Sequence, residues 1–283
     1  MLSINEEINN IWTKINELLF KLGHKSHYNA KCSDGMILTL MVLKIFWTIK
    51  SDKHFHRLIK TKFSQEFANI PEYSAYLKRT KKLTFLAFKL IEELSFESRD
   101  KYFIIDTKPI PLLEITRANN SMLVKMLKQY RIKPGYGYCA ARKKRYYGFK
   151  LVVLWNKGKI VCYSLVNANA SEQECLMELV KRNNLKNLNI FGDKGFILKI
   201  EDKNILSESN IIVEAIPRKN MKLIVPELSF KKYKRKGVET CFSILKDDFD
   251  IENIKLTSIL GFVYAINQRI LSYNLKSFIQ KNK

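Results

Sequence analysis

The apolar positions from Ile4 to Leu22 recur three and four residues apart, the period of one buried helix face. Met36 to Ile49 is apolar almost without a break and reads as a helix buried on all sides, with Asp34 as its cap. It is too short for a membrane span and carries Lys44. Lys53 to Phe67 alternates basic and apolar residues as a third helix. Beyond the break at Ile70-Pro71, the stretches YSAYLKRTKKL and TFLAFKLIEEL keep the helical period. From Tyr102 the texture changes. β-Branched and aromatic runs at Tyr102–Asp106, Tyr146–Trp155, Ile160–Val166, Leu188–Gly192 and Ile211–Ile216 predict five strands, with a hairpin turn across Trp155–Lys159. Pro109 and Pro111 predict that the first strand stops at Asp106, because proline cannot donate to a ladder. Helices are predicted at Ser171–Arg182, capped by Ser171, and at Leu198–Ser207, Gly237–Phe249 and Leu256–Leu275. A meander followed by alternating helices and strands implies an α/β fold, a mixed five-stranded sheet flanked by helices. The predicted division is an all-helical domain at 1–98 and a sheet domain at 99–283 that includes the C-terminal helices. Residues 118–145 lack a clear period, are rich in Lys, Arg, Tyr and Gly, and read as a helix and loop facing a ligand.

Composition narrows the class. Apolar residues make up 46% of the 283, which excludes general disorder. Lys and Arg number 50 against 27 Asp and Glu, a net charge of +23 that points to a polyanion as partner, nucleic acid before anionic membrane. No long amphipathic helix with a continuous basic face supports the membrane reading. In the helical region, Lys78, Arg79, Lys81 and Lys82 cluster between apolar positions. Two readings of that cluster stand side by side: a DNA-binding region of helix-turn-helix type, or a packing domain with a solvated basic face. His54 and His56 lack a partner cluster and read as surface residues. The five scattered cysteines and the polar, acidic start MLSINEEINNIW suggest reduced thiols in the cytoplasm and no secretory leader.

Three carboxylates then stand out. Asp106 closes IIDTKPI, where a charge at the mouth of a buried strand costs free energy unless paired. Asp193 follows a second strand in NIFGDKGF, and Glu239 lies near the start of the helix in RKGVETCFSILK. Arg235 precedes Glu239 by four residues and Lys246 follows it by seven, close to one helical face. Each has an ordinary reading alone: turn chemistry for the aspartates, an ion pair worth a few tenths of a kcal/mol (about 0.2–0.5) for Arg235 and Glu239. Together they match a two-metal phosphoryl-transfer site, in which oxygen ligands hold two Mg²⁺ and flanking cations hold the phosphodiester.

IIDTKPI, YYGFKLVVL with its following G-K-I strand, FGDKGF and RKGVETCFSILK together resemble, in order and spacing, the DDE transposases of bacterial insertion sequences. The likeness is to the compact nine-eighty-two insertion-sequence family, and IPEYSAYLKRTKKL extends it over nearly the whole chain. The resemblance implies a ribonuclease-H-like catalytic domain with Asp106, Asp193 and Glu239 as the metal-binding triad. It implies Mg²⁺ as the cofactor, two ions, with Mn²⁺ as the substitute, and Arg235 and Lys246 as partners of the DNA backbone. Double-stranded DNA, element ends and target, is the expected partner. Arg142, Lys143, Lys144 and Arg145, with Arg79 in the helical region, are the further expected contacts. Joining two ends in one event implies a homodimer or larger assembly on DNA, in the cytoplasm with the nucleoid. The sequence departs from relatives in two places: Lys232 stands where many carry Tyr, and Ser171-Glu172 where a His-Asp pair is common. The 46 positions from Asp193 to Glu239 leave no room for a large insertion domain. Alternatives are a ribonuclease-H-like nuclease that cuts without joining, and a DNA-binding derivative without catalysis.

Overall fold

The computed structural model describes residues 3–96, 102–113, 115–118, 133–139, 143–216, 228–254 and 258–280. These residues form two compact units, one built of 3–96 with 247–249 and 258–280, the other of the described residues between 102 and 246 with 250–254. The chain runs α1 (Ile4–Lys21), α2 (Asp34–Phe46), α3 (Asp52–Lys62), α4 (Tyr73–Lys82), α5 (Thr84–Phe96), then β1 (Tyr102–Leu113), α6 (Ile115–Ala118), β2 (Gly135–Cys139), β3 (Lys144–Asn156) and β4 (Lys159–Asn167). There follow α7 (Glu172–Asn183), β5 (Leu188–Gly192), α8 (Ile200–Glu208), β6 (Ile211–Ala215), α9 (Leu228–Asp247) and α10 (Ile259–Gln280). Among the described residues no helix is long and apolar enough to cross a membrane.

The first unit is helical. α2 is buried nearly all round, as its unbroken apolar run requires, and even Lys44 is sunk, paired with Asp52 at 2.5 Å. Ser33 is the cap, its hydroxyl accepting the Met36 N–H at 3.1 Å, so Asp34 moves into the first turn. There its carboxylate meets Arg79 at 2.5 Å and His24 at 3.0 Å. His54 is exposed as expected, but His56 is buried: its Nε2 donates to the Pro71 carbonyl at 2.9 Å, beneath Tyr73 and Tyr76. α10 packs on α2 and α5, where Gln268 donates to the Met41 carbonyl at 2.5 Å and Asn267 to the Thr84 carbonyl at 2.8 Å, both fully buried. The last helix therefore differs from the predicted division, in which it went with the sheet. An apolar stripe such as Ile266, Ile270, Leu271 and Leu275 announces a buried face without naming the core that buries it.

In the second unit β1, β3 and β4 form an antiparallel meander, and β5 and β6 extend β1 in parallel through α7 and α8. The resulting order, β4-β3-β1-β5-β6, is the ribonuclease-H-like mixed sheet expected from the sequence. The β3–β4 turn, Lys157-Gly158, has φ of 41° and 85°, the positive pair of a type I′ hairpin. A sixth strand, β2, lies inside the segment predicted as helix and loop. It pairs with Lys144–Gly148 of β3, end to end with β4. Its alternation is of glycine, not of bulk: Gly135 and Gly137 are buried against Asn167 and Tyr146, while Tyr136 and Tyr138 face outward.

β1 also corrects the reading at its prolines. The strand does not stop at Asp106 but runs to Leu113, paired with β3 from Ile104 onward with one irregularity between Pro111 and Leu113. β5 covers its other edge only as far as Ile104. Pro109 and Pro111 share the strand parity of Thr107, whose N–H turns to the Asp106 carboxylate at 2.8 Å instead of to β3. Proline is tolerated there because the missing donors face the edge that, among the described residues, has no partner strand beyond Ile104.

Candidate active site

Alternation along β1 sorts its side chains between two faces. Phe103 and Ile105 enter the main core with Val152, Leu154, Ile190, Leu176 and Leu179. Ile104, Asp106 and Lys108 take the opposite face, beside their β3 partners Trp155, Val153 and Leu151. Asp106 is half-buried and lies two residues past the last parallel pair, Ile104 with Phe191. On β5, Phe191 stands beside Ile104, and the extended Asp193 (φ −77°, ψ −178°) emerges two residues later on the same side. Two aspartates thus sit where neighbouring parallel strands part, the place at which open α/β sheets bind ligands.

Asp106 sits within β1, whereas Asp193 is held by a turn of its own. Asp193 Oδ1 accepts the Gly195 N–H at 2.7 Å and caps a single 3₁₀ turn, Lys194–Phe196, anchored by the buried Phe196. Beside that turn Glu172 leans on Gly195, and its carboxylate takes Lys150 at 3.3 Å, while Lys150 also donates to the Ala170 carbonyl at 2.5 Å. Glu172, which the sequence reading left out of the site, is therefore an ion-pair partner lying against the Asp193 turn.

α9 supplies the third carboxylate. Val238, Cys241, Phe242 and Leu245 are its buried stripe, and Glu239 and Lys246 are exposed. Two contacts fix the helix on the Asp106 face. Gly237 lies so close to Trp155 that a Cβ there would fall 2.2 Å from the indole. Phe242 lies 5.6 Å from the Lys108 ammonium, which is itself paired with Glu252 at 2.8 Å. These contacts flank Asp106 along β1, at Ile104–Trp155 and at Lys108, and Glu239 falls between them along α9. Neither Gly237 nor Lys108 was singled out in the sequence; the G in RKGVE, small where a helix face is otherwise built, was the available signal.

Asp106 and Asp193 lie on one face of the sheet, and Glu239 is exposed on the helix that packs on that face. Among the described residues no group of three or more His, Cys, Asp or Glu is placed to hold a metal ion. The donor chemistry, carboxylate oxygen, is that of a hard divalent cation such as Mg²⁺. Arg235 lies one turn before Glu239 on α9, its side chain outside the described residues. Arg142 is likewise outside them, whereas Lys143, Lys144 and Arg145 are exposed at the start of β3. Arg79 belongs to the other unit and is occupied, bonding to the Cys32 carbonyl at 2.7 Å and to Asp34.

The family model for the transposase DDE domain matches residues 98–275. Among solved structures, the catalytic domain of Mos1 mariner transposase is similar at 12% identity over 76% of this chain and 96% of that one, with a TM-score of 0.24. The Mos1 transposase paired-end complex with left transposon end is similar at 12% identity over 93% and 84%, again with a TM-score of 0.24. No curated protein matches the chain.

Proposed function

Because the chain belongs to the transposase DDE domain family, we propose that it is the transposase of an insertion sequence, binding the element's ends, cleaving DNA and joining the freed 3′-OH to target DNA. The observation that supports this reading is that Asp106 and Asp193 lie where neighbouring parallel strands of a ribonuclease-H-like sheet part, with Glu239 on the helix that packs against Trp155 of that sheet.

Asp106 and Asp193 are the fixed ligands, each on a short, hydrogen-bonded backbone segment, and Glu239 completes the set from α9. These residues would hold two Mg²⁺ ions, which would activate the attacking oxygen and stabilise the leaving one. Arg235 and Lys246, on the same side of α9 as Glu239, hold the phosphodiester in line. Lys143, Lys144 and Arg145, with Arg142, track the backbone of the bound duplex. A dimer or larger assembly on DNA brings two ends to one event.

The test uses the full chain and a labelled duplex carrying the DNA that flanks its gene, with Mg²⁺, with Mn²⁺ or with chelator. Wild-type protein cleaves at the 3′ end and joins, and Asp106→Asn protein binds but does neither. Cleavage without joining makes the protein a nuclease. Specific binding with neither reaction in either metal leaves a DNA-binding protein and overturns the catalytic reading.

A further inference from the structure

The first unit carries a strongly cationic concavity that the sequence reading passed over in favour of Arg79. α3 and the start of α4 enclose an open cleft of about 480 Å³ lined by Ser51, Lys53, His54, Arg57, Lys60 and Tyr73. Lys53, Arg57 and Lys60 follow at spacings of four and three, so α3 presents them on one face, while Phe55 and Ile59 bury the other. The floor is braced. His56 is tied to the Pro71 carbonyl at 2.9 Å and packs on Tyr73 and Tyr76, with ring centroids 5.5 and 5.4 Å away.

The charges on this wall are unevenly matched. Lys60 pairs with Glu72, the sole carboxylate lining the cleft among the described residues. Lys53 and Arg57 make no ion pair among the described residues, although both are exposed along a concave wall. Arg79 and Lys44, by contrast, are each committed to an aspartate. Cations held apart from carboxylates on a rigid wall keep their charge available for an anion, and mutual repulsion is relieved when one binds.

We infer that this cleft is a seat for the sugar-phosphate backbone of double-stranded DNA. Lys53 and Arg57 each neutralise a phosphate, and Lys60 exchanges Glu72 for the same strand. The inference rests on DNA being the substrate, and it moves the contact in the helical unit from Arg79 to α3. The contact is independent of base sequence, so it serves element ends and target alike.

The experiment reads counterion release. The full chain, in chelator, is titrated onto a fluorescent duplex from the element's flank at salt from about 50 to about 200 mM, where each neutralised phosphate contributes about −0.9 to the slope of log K against log salt. Lys53→Gln/Arg57→Gln flattens the slope by about 1.8. Lys25→Gln/Lys31→Gln, which removes the same charge from an exposed loop of the same unit, changes it far less. Glu72→Gln, which frees Lys60 and removes the opposing charge, tightens binding and steepens the slope. The proposal is overturned by a Lys53/Arg57 variant whose melting and slope both equal the wild type's, by a control pair that flattens the slope as much, or by Glu72→Gln binding more weakly. Wild-type strand joining with an unchanged slope in the variant sinks the cleft alone. Absence of joining sinks the transposase reading, while the slope still measures the cleft.

Discussion

Gly237→Ala sets two opposite expectations against each other. In an exposed helix interior the change stabilises by about 0.8–1.0 kcal/mol, because glycine has the greater backbone freedom to lose. Here the added methyl would lie 2.2, 2.7 and 2.9 Å from three ring carbons of Trp155. Carbon atoms rest at about 3.5–4.0 Å, so α9 or the indole must retreat by roughly 1.3 Å. Overpacking of that kind costs about 1–3 kcal/mol. Set against the helical gain, the net loss is roughly 0–2 kcal/mol. At about 2–4 °C per kcal/mol, the melting temperature falls by several degrees at most. On the proposed catalytic role of Glu239, joining should respond more sharply, because Glu239 is two residues along the displaced helix and a misplacement of about 1 Å costs on the order of 100-fold. Melting curves and strand-transfer rates on the same preparations give both numbers. The expected outcome is a mild fall in stability, a large fall in joining and unchanged DNA affinity, with part of the joining restored by adding Trp155→Phe. A Gly237→Ala protein that melts about 2–4 °C higher and joins normally would refute the seating of α9 on Trp155.

Four further outcomes follow from the same geometry. Gly195→Ala puts a methyl 3.0 Å from Asp193 Oδ1, so joining should fall by about 10–100-fold with little change in melting, measured on one preparation. Arg79→Gln removes the bonds to Asp34 and Cys32 and should cost roughly 1–3 kcal/mol in chemical denaturation while leaving the salt dependence of DNA binding as it was. Burial pushes the Cys175 thiol up to about 12, against about 8.5 when unfolded. Its contribution to stability is therefore whole below about pH 8 and is lost as pH rises towards 12; iodoacetamide with mass spectrometry should leave Cys175 unlabelled in native protein at about pH 8. Mg²⁺ at about 100 times its dissociation constant should add about 2.7 kcal/mol to the stability of wild type, and far less to that of Asp106→Asn.

The sheet was legible because buried strands write their apolar runs locally, and the order of five such runs left few topologies open. What escaped depended on partners. Nothing near Pro109 says that β5 leaves that edge of β1 unpaired after Ile104, and this alone makes the prolines harmless. β2 hid because its inward positions are glycines, whose burial reflects Tyr146 and Asn167 and not their own apolarity. His56 looked like part of a basic helix surface until Pro71, fifteen residues on, supplied an acceptor. In the site, Asp106, Asp193 and Glu239 were named from motif and spacing; Asp106 and Asp193 lie where neighbouring parallel strands part, and Glu239 lies on α9. Lys108, Gly237 and Glu172 were not named, because their roles lie in contacts with Glu252, Trp155 and Lys150 that no local pattern encodes. Arg79 drew attention by its charge, which Asp34 already engages.

The closing position of α10 has a consequence for biosynthesis. The ribosome delivers α1 to α5 first, yet the faces of α2 and α5 that receive Gln268 and Asn267 have no cover until the last helix emerges. At about 5–20 residues per second, the interval between α5 and α10 is roughly 10–30 s. During it the nascent helical region is an unfinished core exposing apolar surface, a client for chaperones more than a working module. A chain that stops short of Ile259 never finishes it. Prematurely terminated products should therefore aggregate or be degraded instead of accumulating as half-proteins that occupy DNA.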